Sequence, residues 1–181
     1  MKKTILAFIF ALITGIVSAQ TEEPTETPED TISAKYHYNQ VYDYYSPDIV
    51  AYHYKADDLM KFAKKYVGVP YVLAGKDSAG FDCAGYTFYC FKKFGVYLPY
   101  FAYEQGAIGQ EIQLKDAKKG DLICFLGSNL NDKQIGHVGI VISEKGQKLT
   151  WIHAASRGVR IDNIDSPYYK PRLVTIRRVA E

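Results

Sequence analysis

Three cysteines and four histidines carry most of the chemistry open to this sequence. Cys83 and Cys90 stand seven residues apart in the stretch GFDCAGYTFYC, and Cys124 follows in GDLICF. Residue type alone leaves a disulfide, a pair of metal ligands, or one reactive thiol beside packing residues. Periodicity narrows the choice. Residues 83–94 read as a helix, which puts Cys83 and Cys90 on one face but roughly 10 Å apart along its axis. A disulfide needs Cα atoms within about 7 Å, so a helix excludes that bridge. Zinc pairs usually come as C-x₂₋₄-C, and neither that spacing nor H-E-x-x-H occurs. What remains is a thiol at a helix start, expected to be exposed, with its thiolate favoured by unpaired N–H groups and the helix dipole. Cys90 then becomes buried filler, and Cys124 is the disulfide partner left open to it in an oxidising compartment.

A nucleophile needs a base. His37 and His53 lie in a tyrosine-rich segment and suit solvated or packing roles. His137 opens the segment HVGIVIS, and His153 nearly closes the next, KLTWIHAA. A three-residue hairpin loop over 144–146, with Gly146 left-handed, pairs Ser143 with Gln147. The same register sets His137 directly opposite His153, on one face. A two-residue turn would put them on opposite faces. One imidazole can then act as base toward Cys83 while the other orients it. Periodicity does not by itself bring the helix to the sheet.

The elements that must position these groups change character along the chain. Leu59, Phe62, Ala63 and Tyr66 recur at helical spacing from Asp57, and Gly68 and Pro70 stop that helix. A loop rich in Gly and Asp leads to the second helix at Cys83, which Leu98-Pro99 follows. After Gly120 the period becomes two: DLICFLG, HVGIVIS, KLTWIHAA, GVRIDNI and PRLVTIRRV read as strands. Helices first and strands after predict an α+β domain, its N-terminal helices packed on an antiparallel sheet of about five strands.

Ahead of that domain, Lys2 and Lys3 precede an apolar run over 5–17 that ends in Ser18 and Ala19. This is the pattern of a signal peptide spanning 1–19, too short for a spanning helix. No cysteine follows the cleavage point, so no lipid anchor is expected there. The expectation is an exported protein, periplasmic or secreted. Residues 20–33 form an acidic linker rich in Pro, Thr and Glu, and 34–56 a tyrosine-rich arm. The arm suits packing through its rings, with a sugar-stacking surface as the sharper alternative. Residues 31–181 carry 20 bases against 15 acids, a mild positive balance that suits an anionic polymer.

In order and spacing, GVPYVLAGKDSAGFDCAGYTFYCFKKFGVYLP, GDLICF, HVGIVI and WIHA resemble the NlpC/P60 family of papain-like cysteine peptidases, over residues 57–181. The resemblance implies Cys83 as nucleophile, His137 as base and His153 as the polar third member. It implies that Tyr71 lines the pocket and oxyanion region, and that Asp82 helps hold the substrate peptide. It further implies hydrolysis of the γ-D-glutamyl–diaminopimelyl bond in peptidoglycan or muropeptides, without metal; a monomer with no cofactor and no nucleic-acid partner is expected. A same-fold amidase or acyltransferase, and a non-catalytic cell-wall-binding module, are the alternatives. Two positions depart from the family pattern: Ala84 stands where Ser is usual, and Tyr100 where Arg often follows Leu-Pro.

Overall fold

The computed structural model describes residues 55–180. The expected leader (1–19), the acidic linker (20–33) and the tyrosine-rich arm up to residue 54, with His37 and His53, lie outside the described residues.

Helix α1 (Ala56–Lys64) forms where the helical period begins. Leu59, Met60 and Ala63 bury one stripe, with Asp57 and Asp58 in the first turn and Lys61 and Lys64 in the last, matching the helix dipole. A short ribbon, β1 (Lys76–Asp77) with β2 (Gly80–Phe81), then delivers the chain into helix α2 (Cys83–Lys92). Asp82 is the N-cap of α2, its Oδ1 accepting the Gly85 N–H at 2.6 Å. The Asp82 N–H in turn donates to the Gly75 carbonyl at 3.0 Å. Gly85 is pressed against that same carbonyl, so that a Cβ there would lie 2.0 Å from the oxygen.

Helix α2 is buried on nearly every side, with Cys83, Ala84, Tyr86, Phe88, Cys90 and Phe91 in the core. Its buried hydroxyl, Thr87, donates to Gln105 Oε1 at 2.6 Å. Gln105 belongs to a short helix, α3 (Ala102–Gln105), and its amide donates to the Ala84 and Pro99 carbonyls at 3.1 and 2.8 Å. One buried amide thus holds both the start of α2 and the chain after it.

The sheet runs in the order β3-β8-β4-β5-β6-β7, with every pairing antiparallel. Its five long strands are the expected ones: β4 (Leu122–Leu126), β5 (Ile135–Val141), β6 (Thr150–Ala155), β7 (Gly158–Asn163) and β8 (Leu173–Arg178). The sixth, β3 (Gln110–Glu111), is a two-residue edge too short to show a period. Alternation divides the side chains between two clusters. Leu122, Cys124, Val138, Ile140, Ile152 and Ala154 pack with α1 and α2. Ile123, Phe125, Val141, Trp151 and Ile176 pack with Tyr169 on the other side. All three cysteines are free thiols, so the Cys90–Cys124 bridge left open by the sequence is not formed. Asp121, 1% exposed, accepts from Arg178 Nε and Nη2 at 2.8 and 2.9 Å and locks the start of β4 to the end of β8.

The β5–β6 hairpin differs from expectation. Ile140 pairs with Ile152 and Val141 with Trp151, and the Ile142 N–H donates to the Thr150 carbonyl. The loop therefore spans 143–149 rather than 144–146. The Ser143 hydroxyl takes the Thr150 N–H at 3.2 Å, which ends the ladder early, while Gly146, left-handed as expected, sits in a tight turn closed from Gln147 to Glu144. The register moves by two. His137 and His153 become diagonal neighbours instead of direct partners, and because the shift is even they keep a common face.

The clamp at the start of α2 has a mechanical test. Gly85→Ala must displace either the Gly75 carbonyl or the helix, and is expected to cost about 2 kcal/mol or more, read as a lower urea midpoint; an unchanged midpoint would contradict the close approach.

Candidate active site

Cys83 is the first residue of α2, as the sequence predicted, yet it is only 8% exposed rather than open to solvent. Its sulfur sits among the backbone N–H groups of Val138, Ala84 and Cys83 itself. These favour the thiolate, as the helix-start position predicts, but burial is the larger effect and pushes the thiol up to about 11, with Asp82 adding to the rise. Sequence reasoning read the helix N-terminus correctly and missed the desolvation. The Val138 contact is the step that periodicity could not supply. It brings the thiol to β5 one residue past His137.

Two glycines shape that part of β5. Phe125 pairs with His137 but Leu126 pairs with Ile135, so Gly136 is an extra residue, a β-bulge directly before the histidine. A Cβ on Gly136 would come within 2.7 Å of Gly127 Cα. Gly139 lies three residues further on, where a Cβ would meet the His153 Cβ at 3.0 Å. A side chain there would press on His153, the Ile152 carbonyl and Trp151. Its absence lets His137 Nε2 reach His153 Nδ1 at 2.7 Å.

The line continues. His153, fully buried, places its Nε2 2.9 Å from Asp162 Oδ2 on β7, and Arg160 Nε donates to the same oxygen at 2.8 Å. Burial, with His153 and Arg160 adding to it, holds His137 down at about 3, so the imidazole is neutral across the physiological range. Burial lowers His153 too, against the pull of Asp162. The hydrogen bond from His153, together with Arg160, keeps the Asp162 carboxyl below the usual range. Tyr169 closes the site from the far side, its ring stacked on His137 at 5.7 Å between centroids and edge-on to His153 at 5.1 Å.

Tyr71 and Asp82 also arrive at the thiol. Tyr71 is partly exposed, and its hydroxyl is raised by burial first and then by the nearness of Cys83 and Asp82. Asp82 spends one carboxylate oxygen on the Gly85 cap. A cleft of about 680 Å³ opens beside this group, lined by Tyr71, His137, Ser156, Arg157, Asp162 and Tyr168 among others. Of its charged lining residues, Arg160 and Asp162 pair with each other, while Arg157 forms no ion pair among the described residues. All five residues singled out in the sequence therefore converge on one region. Asp162, Arg160 and Tyr169 were not singled out, and the signal that could have found them is the β6–β7 hairpin, which sets His153 opposite Arg160 and Trp151 opposite Asp162.

The two departures take defined places. Ala84 is 5% exposed, so its side chain packs in the core rather than on the cleft. Tyr100 rests on Phe88 at 4.7 Å, with the Lys76 ammonium 4.0 Å over its ring. Among the described residues no group of three or more His, Cys, Asp or Glu could hold a metal ion, and no helix is long and apolar enough to cross a membrane.

Comparison with known proteins identifies the family. The chain is 38% identical over 119 residues to a gamma-DL-glutamyl hydrolase of Bacillus subtilis, covering 64% of this chain and 27% of that one. It is 35% identical over 114 residues to the murein DD-endopeptidase MepS/murein LD-carboxypeptidase of Escherichia coli, covering 62% and 56%. The chain thus spans about a quarter to just over half the length of these relatives. Among solved structures, an NlpC/P60 family protein of Bacillus cereus superposes with a TM-score of 0.63 at 32% identity, covering 70% of this chain and 40% of that one. The NlpC/p60 domain of the peptidoglycan hydrolase SagA superposes with a TM-score of 0.56 at 29% identity, covering 68% and 97%. The NlpC/P60 family profile matches residues 68–178, from the turn after α1 to the end of β8, and the chain belongs to that family.

Proposed function

We propose that this chain is an exported cysteine peptidase that hydrolyses peptidoglycan stem peptides at the γ-D-glutamyl–diaminopimelyl bond. The observation that carries the reading is the Cys83 sulfur held at the capped start of α2, one residue from a His137 that is already hydrogen-bonded to His153. Of the relatives, the gamma-DL-glutamyl hydrolase supports this bond class by its name, while the murein DD-endopeptidase MepS/murein LD-carboxypeptidase supports only action on murein peptides. The leader-like residues 1–19 support export, and the mature chain is expected to begin at Gln20.

In this mechanism the resting pair is a thiol and a neutral imidazole. As the sulfur attacks the scissile carbonyl carbon, the thiol proton passes to His137 and a C–S bond forms. The carbonyl oxygen gains the negative charge, with the Cys83 N–H and the Tyr71 hydroxyl as its donors, each such contact being worth roughly 3 kcal/mol. Collapse breaks the C–N bond, and His137 returns its proton to the leaving amine. Water, deprotonated by His137, then attacks the thioacyl carbon and restores the thiol.

Cys83→Ala is expected to abolish cleavage of purified muropeptides, followed by product masses. Undiminished cleavage would overturn the reading, and products formed without addition of water would indicate acyl transfer instead. The resting state has its own test. A thiol pushed up to about 11 is scarcely ionised near neutrality, so alkylation of Cys83 should rise about tenfold per pH unit between roughly pH 7 and 10. Mass spectrometry of the Cys83 peptide reads that profile, and a rate already level below pH 7 would mean a preformed thiolate–imidazolium pair.

A further inference from the structure

Two hydrogen bonds in series, joining Asp162 to His153 and His153 to His137, constrain one another. The Asp162 carboxylate carries no proton, so His153 Nε2, 2.9 Å from Oδ2, must be the donor. A neutral His153 then has an unprotonated Nδ1, which can only accept. The 2.7 Å contact to His137 is therefore made by an Nε2–H of His137. A neutral His137 with its proton on Nε2 has its lone pair on Nδ1, the nitrogen that a general base needs.

We propose that Asp162 is a positioning residue that fixes the tautomers of both histidines, leaving His137 Nδ1 free to take the Cys83 proton. The inference rests on the hydrolytic reading above and extends it to a residue outside the cysteine–histidine–histidine set. Asp162 cannot turn away easily, because Arg160 Nε donates to the same Oδ2 at 2.8 Å while Arg160 Nη2 reaches the Tyr169 hydroxyl at 3.4 Å. With Asp162 in place the His153 ring is fully buried, so the carboxylate is its acceptor. The groups around the pair are Asp162 and Arg160 from β7 and Tyr169 from the segment after it, with the Cys83 sulfur at Val138, one residue along β5 from His137. Of these, Asp162 alone is an anion hydrogen-bonded to a ring nitrogen.

Without that acceptor the relay can reverse. His153 protonated on Nδ1 would donate to His137 Nε2, and His137 would then carry its proton on Nδ1, leaving the thiol without a base. A carboxylate that only satisfied a buried histidine would affect stability and leave the proton positions unchanged.

The test is ¹⁵N NMR of the histidine rings in the purified chain, together with kcat/KM on muropeptides, for wild type and Asp162→Asn, Asp162→Ala and Asp162→Leu. Wild type should show both His137 and His153 protonated on Nε2 near neutral pH. The Ala and Leu variants should move the His153 proton to Nδ1 and lose about 100-fold in kcat/KM, mostly in kcat. The Asn variant keeps an oxygen where Arg160 and His153 both need one, so its tautomers should stay and its rate should lie within about tenfold of wild type. A wild-type His137 protonated on Nδ1 would overturn the proposal, as would a folded Ala or Leu variant with unchanged tautomers and rate. Should neither of those variants fold, the wild-type assignment and the Asn variant decide, altered tautomers in the latter counting against it. Ring protonation is read without substrate, so a chain that cleaves no muropeptide would refute the hydrolytic reading and leave the tautomer result standing.

Discussion

The capped start of α2 fixes the position of everything else in the site. Asp82 holds the Gly85 N–H, the Gly75 carbonyl holds Asp82, and Gly85 fits against that carbonyl only because it has no side chain. This clamp sets where the helix begins, and so where the Cys83 sulfur lies relative to β5. A helix beginning one residue later would swing that side chain by about 100° and carry it away from Val138. The buried Gln105 amide, bonded to the Ala84 and Pro99 carbonyls, backs the clamp from inside the protein.

The site also shows how burial and reactivity oppose each other here. A helix N-terminus and three backbone N–H groups favour the thiolate, yet the thiol is raised because it is enclosed. The same enclosure lowers both histidines. The pair is therefore uncharged at rest, and ion-pair character develops only as the proton moves. The hydrogen-bonded line from His137 through His153 ends on the Asp162 carboxylate, whose charge is partly offset by the Arg160 guanidinium bonded to the same oxygen.

Much of this was legible in the sequence, for identifiable reasons. The switch from period 3.6 to period two located α1, α2 and the five long strands. Strand alternation put the histidines on one face even though the hairpin register was misjudged by two, because parity survives an even shift. The short elements α3 and β3 were illegible, having too few residues to show a period. Asp162 and Arg160 were illegible because their role depends on which strand lies beside β6, and exposure of Cys83 was misjudged because burial depends on packing from distant segments. Charge and spacing in one dimension do not report enclosure in three.

The bulge at Gly136 has a consequence for how such a site can diversify. It takes up one residue of mismatch, so the strand after it keeps its pairing with β4 and β6 whatever the chain does before it. Residues 127–134, whose first members Gly127 and Ser128 line the cleft, are in effect insulated from the reaction centre. Length and composition there can drift without moving His137. The β4–β5 hairpin thus divides into a stem that holds His137 and a tip whose first residues line the cleft.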